Sequence, residues 1–549
     1  MNPTFLSCKR VLIIDDCAPV RAAIKGMLQQ IGFQLIAQAK DAPQALAICQ
    51  RDTFDFILCD YNLGECQDGY QLFETFKQQG LLHPLCCFII ISAESQRQIV
   101  HGVVELQPDD YILKPFSYPV LKDRLARAMR QRLAFRKIYS AIQQRDVKEA
   151  IYQCDRLTKT PGEHSLSALR LKGELLLQAG LAEKAEQFYA LLLQHKPQPW
   201  MRMGYAVALL EQGRWQDNER ELVALSQYDD TRIEALDWLA KSYFKRQQLD
   251  EAYQTLQQAV NFSPKNILRQ KTLANLAILN ADLAQAVRIY QRIAMLARHS
   301  IHDSAHNGLN QARCIIDFAL LQPAIERANL LCQINKLLDT LQRRFNPESV
   351  QFELMILRVR YLNARGNVQE ARNLLRQHNC LNNKSYHAES CLDAAKAYFE
   401  TGDIFGCHFY VDALKVQLEH DDLLTESQRL LLSREQQRYE ALYQKLRELT
   451  REATEAYEEG FFGRAAKLFC QSFEQMPTNP TMALNVLQAA SRCNGFSEDT
   501  LKHSLAALEL LKHTELDTAG NSRYQQCLNS LRQLAPELLR LSGRGSLAG

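Results

Sequence analysis

The chain has 549 residues, too many for one hydrophobic core, so several domains or a repeat array are expected. Sixty-five Lys and Arg against 62 Asp and Glu leave a formal charge of +3, a balance that gives no pull toward nucleic acid. Sixteen cysteines occur without a Cys-x-x-Cys spacing and fall inside strand- and helix-forming runs, as at Cys59, Cys86 and Cys87, which excludes a disulfide or zinc framework and suits a reducing compartment. The amino terminus MNPTFLSCKRVLIIDD meets acidic residues after a short apolar run and does not read as a signal peptide. No run approaches the length of a membrane span, so a cytoplasmic protein without membrane contact is expected.

Strand and helix patterns alternate through the first 125 residues. A short apolar strand covers residues 11–14, and Val20, Ile24, Met27 and Leu28 then recur at helical spacing. A strand at 34–37 precedes a helix carrying Ala42, Leu46 and Ile48. The run FDFILCDYN is a buried strand that stops at Asp60. A helix over 70–78, an apolar strand over 86–91, a helix over 99–105 and a last strand over 111–113 follow. Five strands alternating with helices predict a doubly wound α/β domain with a five-stranded parallel sheet.

The polar residues at the strand ends carry the chemistry. Asp15 and Asp16 follow the first strand, Asp60 closes the third, Ser92 the fourth, and Lys114 follows the fifth. In a parallel sheet these ends share one edge, so three carboxylates, a hydroxyl and an ammonium converge there. Clustered carboxylates need a counter-charge, and a hard divalent ion with oxygen ligands, Mg²⁺, is the expected one. Such a pocket suits phosphoryl transfer to an Asp oxygen.

With VLIIDD, FILCDYN, IIISA and YILKPF in this order, residues 8–130 resemble the receiver domain of two-component response regulators, a flavodoxin-like fold. The resemblance implies that Asp60 is the phospho-acceptor. It implies that Asp15, Asp16, Asp60 and the backbone carbonyl of Asn62 hold Mg²⁺, that Ser92 and Lys114 contact phosphoryl oxygens, and that Ser92 and Tyr111 form the switch pair. It further implies a cis bond at Lys114-Pro115. One stretch departs from the family: YNLGECQDGY has Gly64 where Pro is common, and one extra residue between Asp60 and Gly69.

After Pro119 no Gly or Pro occurs until Pro161, while Leu121, Leu125, Met129, Leu133, Ile138 and Ile142 keep near-helical spacing. The receiver's last helix is therefore expected to run on toward the next domain. Its basic stripe, Lys122, Arg124, Arg127, Arg130, Arg132, Arg136 and Lys137, reads as a solvated face or an interface with an acidic partner.

From about residue 130 a period near 34 replaces the strand pattern. Ala150, Ala185, Asn218, Ala252 and Ala286 each lie five residues after a turn position, held by Arg145, Gly180, Gly213, Gln247 and Ala281. Gly173, Ala206 and Ala240 precede three of them by twelve residues, and Pro197 and Pro264 follow two by twelve. Small residues permit close helix pairs, a large one such as Tyr189 or Tyr290 fills the gap, and Pro stops the second helix. Stretches such as SALRLKGELLLQAGLAEKAEQFYALLLQHKP, EALDWLAKSYFKRQQLDEAYQTLQQAVNFSP and REATEAYEEGFFGRAAKLFCQSFEQMP resemble tetratricopeptide (TPR) repeats. Residues 299–350 and 420–450 read as helical but out of register. His299, His302 and His306 with Asp303 are assigned to a solvated turn near Asn307-Gly308, and no second catalytic motif is found.

The resulting expectation is a receiver at 1–128, TPR-like repeats at 129–300, degenerate TPR-like helices at 301–540 and a disordered tail at 541–549. Function follows as a response regulator phosphorylated on Asp60 by a histidine kinase or phosphotransfer protein, with protein binding by the TPR groove as its output. It is expected not to be an enzyme that turns over substrate, and a homodimer through the receiver stays open. Two alternatives belong to other classes: an adaptor that grips a sensor kinase or sibling regulator and modulates phosphotransfer, and a DNA-binding transcription regulator, which lacks a recognition signature here.

Overall fold

The computed structural model describes residues 6–64, 67–93, 107–159, 162–195, 197–345, 347–378, 387–414, 422–493, 495 and 497–534. The helix expected over 99–105 and the tail expected at 541–549 lie outside the described residues. The chain forms two compact units, Met1–Leu276 with Arg292–Ser304, and Ala277–Gln291 with Ala305–Gly549.

The first unit opens with a five-stranded, all-parallel sheet in the order β2-β1-β3-β4-β5. The strands are β1 (Arg10–Ile14), β2 (Leu35–Ala39), β3 (Phe56–Asp60), β4 (Cys87–Ser92) and β5 (Asp110–Leu113). Each is within two residues of its expected place. The three inner strands β1, β3 and β4 carry continuous apolar runs because both their faces are covered. Leu12, Ile14, Ile57, Cys59, Phe88 and Ile90 join a core with α2 (Ala42–Cys49) and α3 (Gly69–Gln78). Val11, Ile13, Phe56, Leu58, Ile89 and Ile91 join another with α1 (Ala18–Ile31) and α4 (Tyr118–Ala134). Successive side chains of one strand thus feed opposite cores, as the pleat requires.

Helix α4 gives way at Phe135 to α5 (Arg136–Gln143), with Phe135 itself 2% exposed and packed on Ile138 and Ala141. The junction is near-continuous helix, as the absence of Gly and Pro predicts. The basic stripe on α4 is only partly a solvated face. Arg132 is bidentate to Asp109 at 2.6 and 2.9 Å and also donates to the Pro84 carbonyl, while Arg124 pairs with Asp110 at 2.9 Å.

Beyond α5 the described chain is helical. All five turn positions read from the period, Arg145, Gly180, Gly213, Gln247 and Ala281, have positive φ, between 58° and 74°. The small residues five places later, Ala150, Ala185, Asn218, Ala252 and Ala286, are fully buried. Gly173 and Gly204 explain the need for small side chains, because a Cβ on either would lie 2.2 or 2.0 Å from the Tyr189 ring system. Asn218 keeps its place by donating to the Ala206 carbonyl at 2.8 Å.

In the second unit the same offset recurs at Gly366 and Ala371, Gly402 and Cys407, and Gly460 and Ala465. Helices in the out-of-register stretches are longer, with Ala324–Arg344 and Leu423–Glu458 among them. Asn307-Gly308 is not a turn but lies inside the helix Ala305–Leu320, where a Cβ on Gly308 would meet Leu341 at 2.5 Å. The glycine serves close helix packing there. A buried ion cluster ties this unit together: Arg360, 1% exposed, reaches Asp317 at 2.5 Å and Asp393 and Glu400 at 3.1 Å. Lys396 adds a 3.0 Å contact to Asp317, and Arg313 pairs with Asp393.

Candidate functional site

The carboxyl edge of the sheet gathers the expected residues. Asp15 follows the last residue of β1, is 1% exposed, and accepts the Cys17 amide at 2.8 Å. Asp60 closes β3, is 8% exposed, and accepts the Tyr61 amide at 3.0 Å. Asp16 is exposed beside them, and one carboxylate oxygen from each of Asp15, Asp16 and Asp60 lies within 4.8 Å of the others. Lys114 arrives from the end of β5, its peptide bond to Pro115 cis as the resemblance implies. Its Nζ stands 2.8 Å from Asp15 and 2.9 Å from Asp60. Ser92 ends β4, fully buried, with its carbonyl accepting the Lys114 amide at 2.7 Å. Tyr111 on β5 is partly buried against the core, and Asn62 is exposed just past β3.

Electrostatics follow from this crowding. Burial pushes the Asp60 carboxyl above its ordinary value; Lys114 opposes the shift and Asp15 adds to it. Burial disfavours the charge on Lys114, but its hydrogen bonds to Asp15 and Asp60 outweigh that and hold the ammonium protonated. Three carboxylates facing one ammonium leave the pocket anionic. Oxygen-only donors at this spacing fit a hard divalent cation such as Mg²⁺. The neighbouring Cys59 is held as a neutral thiol, since burial raises it well above the usual range.

Gly64, in the loop after Asp60, accounts for one part of the family departure; the extra residue falls in a stretch that includes residues 65 and 66, outside the described residues. Gly64 has φ +87°, a conformation closed to proline, whose ring fixes φ near −65°. Gly69 begins α3 directly over the backbone of Asp60. A Cβ there would stand 2.2 Å from the Asp60 carbonyl oxygen, and the Gly69 amide donates to the Tyr61 carbonyl at 2.7 Å. Asp68 and Gln71 close a capping box on that helix.

Sequence reasoning missed a second set of residues. Lys265, about two hundred positions downstream in the same unit, places Nζ 2.7 Å from the Tyr61 hydroxyl and 3.5 Å from Asp68. His302 Nε2 meets Glu74 of α3 at 2.8 Å, and Gln71 donates to the Leu296 carbonyl at 3.4 Å. His302 therefore belongs to a packed contact with the receiver, not to a solvated turn. No local pattern marks these residues, because a contact across this separation leaves no periodic trace.

The receiver profile of the response regulator family, described as "response regulator receiver domain", matches residues 11–126. Chemotaxis protein CheY-3 of Vibrio cholerae serotype O1 is 30% identical over 116 residues, 21% of this chain and 88% of that protein. Chemotaxis protein CheY of Pseudomonas aeruginosa is 29% identical over 116 residues, covering 21% of this chain and 92% of that one. Among solved structures, the chemotaxis response regulator CheY4 of Vibrio cholerae is similar at 23% identity and a TM-score of 0.21, over 22% of this chain and 98% of that chain. Through residues 11–126, this chain belongs to the response regulator receiver family.

Proposed function

We propose that this protein is a phosphorelay response regulator in which Asp60 takes a phosphoryl group from a histidine kinase or phosphotransfer protein. One observation carries the reading: a single ammonium, Lys114, touches the carboxylates of both Asp15 and Asp60 at the edge where Ser92 also ends its strand. A carboxylate oxygen of Asp60 attacks phosphorus, the new O–P bond forms as the donor's P–N bond breaks, and the departing imidazole takes up the proton it needs. Lys114 offsets charge on the phosphoryl oxygens, and the Ser92 hydroxyl donates to one of them. Asp15, Asp16, Asp60 and the Asn62 carbonyl would hold Mg²⁺, whose chemistry is to neutralise the charge on the transferred group. The reaction is stoichiometric, with one acceptor per chain and no second substrate turned over.

The output in this reading is protein binding by the TPR-like helices, in the cytoplasm. No helix among the described residues is long and apolar enough to cross a membrane. The coupling has two supports. Asp109 and Asp110, which precede the switch residue Tyr111, are held by Arg132 and Arg124 of α4, so movement in β5 is transmitted to the helix that leads into the repeats. Lys265 and His302 meet the other flank, at Tyr61 and Glu74. Because Arg124 and Arg132 are engaged within the receiver, the basic stripe has less to offer a DNA backbone.

Incubation of the full chain with acetyl phosphate and Mg²⁺, followed by intact mass, is expected to add one phosphoryl group that Asp60→Asn abolishes. An unlabelled wild type, or equal labelling of Asp60→Asn, would overturn the assignment. Hydrogen exchange with beryllofluoride and Mg²⁺ should slow or speed exchange in α4 and α5; a change confined to residues before 116 would remove the coupling.

A further inference from the structure

The second unit contains an open cavity of about 1220 Å³ bounded by the helix Val368–His378, the turn after Thr401, the helix Leu423–Glu458 and the start of the helix Pro480–Ala490. Arg372 lines it and is only 9% exposed. Its Nε donates to the Thr401 carbonyl at 2.9 Å, Nη1 to Thr514 Oγ1 at 3.3 Å and Nη2 to the Thr478 carbonyl at 2.5 Å. Every one of these acceptors is neutral, and one N–H on each η nitrogen is not used by these bonds. Among the described residues no carboxylate pairs with this guanidinium. Arg360 in the same unit, 1% exposed, meets three carboxylates.

A buried guanidinium without an anion is unfavourable, and the imbalance marks a place where an anion binds. Burial and the nearby Arg376 both act against the charge on Arg372, in keeping with that strain. Two further wall features have the same sign. Arg447 lines the cavity from the long helix, stacked over Tyr443 at 5.7 Å and without an ion pair among the described residues. The helix Pro480–Ala490 opens on the cavity at its N-terminus, the positive end of its dipole. Four arginines, Arg372, Arg376, Arg447 and Arg451, line the cavity against three acids, Asp403, Glu448 and Glu515, so the wall keeps a cationic excess. Asp403 accepts the Gly406 amide at 2.9 Å, and Glu515 stands 4.0 Å from Arg376 with both side chains well exposed. Apolar surface completes the wall: Leu375, Ile404, Met482 and Phe405, the last 76% exposed.

We propose that this cavity docks an acidic peptide segment of a partner protein, its carboxylate on Arg372 and a neighbouring large apolar side chain on Phe405. The proposal rests on the reading of the helical region as a protein-binding output and names the chemistry of the bound segment. An open groove of this size leaves a small metabolite exposed, whereas a segment of several residues spans both the cationic floor and the apolar lip.

A random twelve-residue phage-display library selected on the full-length protein, with winners resynthesised and measured by fluorescence polarisation, tests it. Selected peptides are expected to carry Asp or Glu close to an aromatic or aliphatic residue. Arg372→Gln and Arg447→Gln should each weaken binding at least tenfold, Phe405→Ala several-fold, and added salt should weaken all. Because Arg372 bridges three backbone segments, Arg447→Gln and Phe405→Ala decide the matter if Arg372→Gln unfolds. Selection of nothing, winners without acidic residues, acidic winners bound equally by all three variants, or displacement by inorganic phosphate at the peptide's own affinity would each overturn the proposal. Winners that ignore the three variants yet respond to Asp60 phosphorylation would leave the output reading standing while this site fails.

Discussion

Two clusters of charge in this chain follow opposite designs. At the receiver edge three carboxylates, Asp15, Asp16 and Asp60, face one ammonium, and the pocket opens to solvent through the exposed Asp16. In the second unit Arg313, Arg360, Lys396 and Arg438 share Asp317, Asp393, Glu400 and Glu435, four cations among four carboxylates. Burial penalises both sets: in the second the opposite charges hold Asp317 well below the usual carboxylate range while burial still leaves Glu400 above its own, and at the receiver edge burial drives Asp60 above its own. A balanced cluster is finished and holds helices in place. An unbalanced one is incomplete, and its surplus charge suits the cation and the chemistry proposed for it.

Removing one member of the balanced cluster is the severest way to break this contrast. Arg360→Met leaves Asp317, Asp393 and Glu400 facing each other with fewer partners, and a loss of about 3–5 kcal/mol is expected. Urea unfolding followed by hydrogen-exchange mass spectrometry on the helix Pro347–Ala364 would register it while the receiver strands stay protected. Equal stability of variant and wild type would mean that the cluster is decoration. At the receiver edge the backbone, not the charge, is the costly element. Gly69→Ala brings a Cβ against the Asp60 carbonyl, which cannot swing aside as a side chain can, so a loss of about 1–3 kcal/mol and slower phosphorylation are expected together.

The sequence made the unbalanced cluster legible and left the balanced one hidden, for a physical reason. Strands of a parallel sheet all end at one edge, so a polar residue following each apolar run locates itself without knowledge of distant contacts. The same applies to the repeat turns, where a five-residue offset from a left-handed turn to a buried small residue held at Arg145, Gly180, Gly213, Gln247 and Ala281. Within the Arg360 cluster Arg360 pairs across 33 to 43 positions, Lys396 with Asp317 across 79 and Arg313 with Asp393 across 80, with no fixed period, and the Lys265 contact with Tyr61 spans 204. Asn307-Gly308 misled because a glycine that admits a neighbouring helix and a glycine that makes a turn look alike in a sequence.

Neutralising Asp60, the proposed acceptor, sharpens the comparison from the other side. The Asp60 carboxyl sits higher in the fold than in the unfolded chain, so its charged form opposes folding. That penalty is absent below about pH 3.9, where the unfolded carboxyl is protonated, and grows as pH rises through the folded value. Asp60→Asn should therefore stabilise the receiver by about 1 kcal/mol at neutral pH, within the usual range for a single substitution, and the gain should vanish in acid. Thermal unfolding between pH 3.5 and 8 would measure it. Millimolar Mg²⁺ should narrow the gap by stabilising the wild type, and EDTA should restore it.

The smallest effect belongs to the contact between receiver and helices. Lys265 is nearly half exposed, so its 3.5 Å pair with Asp68 is worth little, and its 2.7 Å hydrogen bond to the Tyr61 hydroxyl supplies most of what it contributes. Burial disfavours its charge, yet Tyr61 and Asp68 hold the ammonium protonated, so the contact persists throughout the neutral range. Lys265→Met should therefore cost under about 1 kcal/mol of stability. The loop from Asp60 to Gly64 carries the acceptor, however, and Tyr61 is the first residue of that loop. Freeing its hydroxyl should speed hydrogen exchange in the loop and change the lifetime of the acyl phosphate, while Lys265→Arg should preserve both. Equal lifetimes in wild type and Lys265→Met would confine the unbalanced pocket to the receiver's own residues and leave α4 as the path by which its charge reaches the repeats.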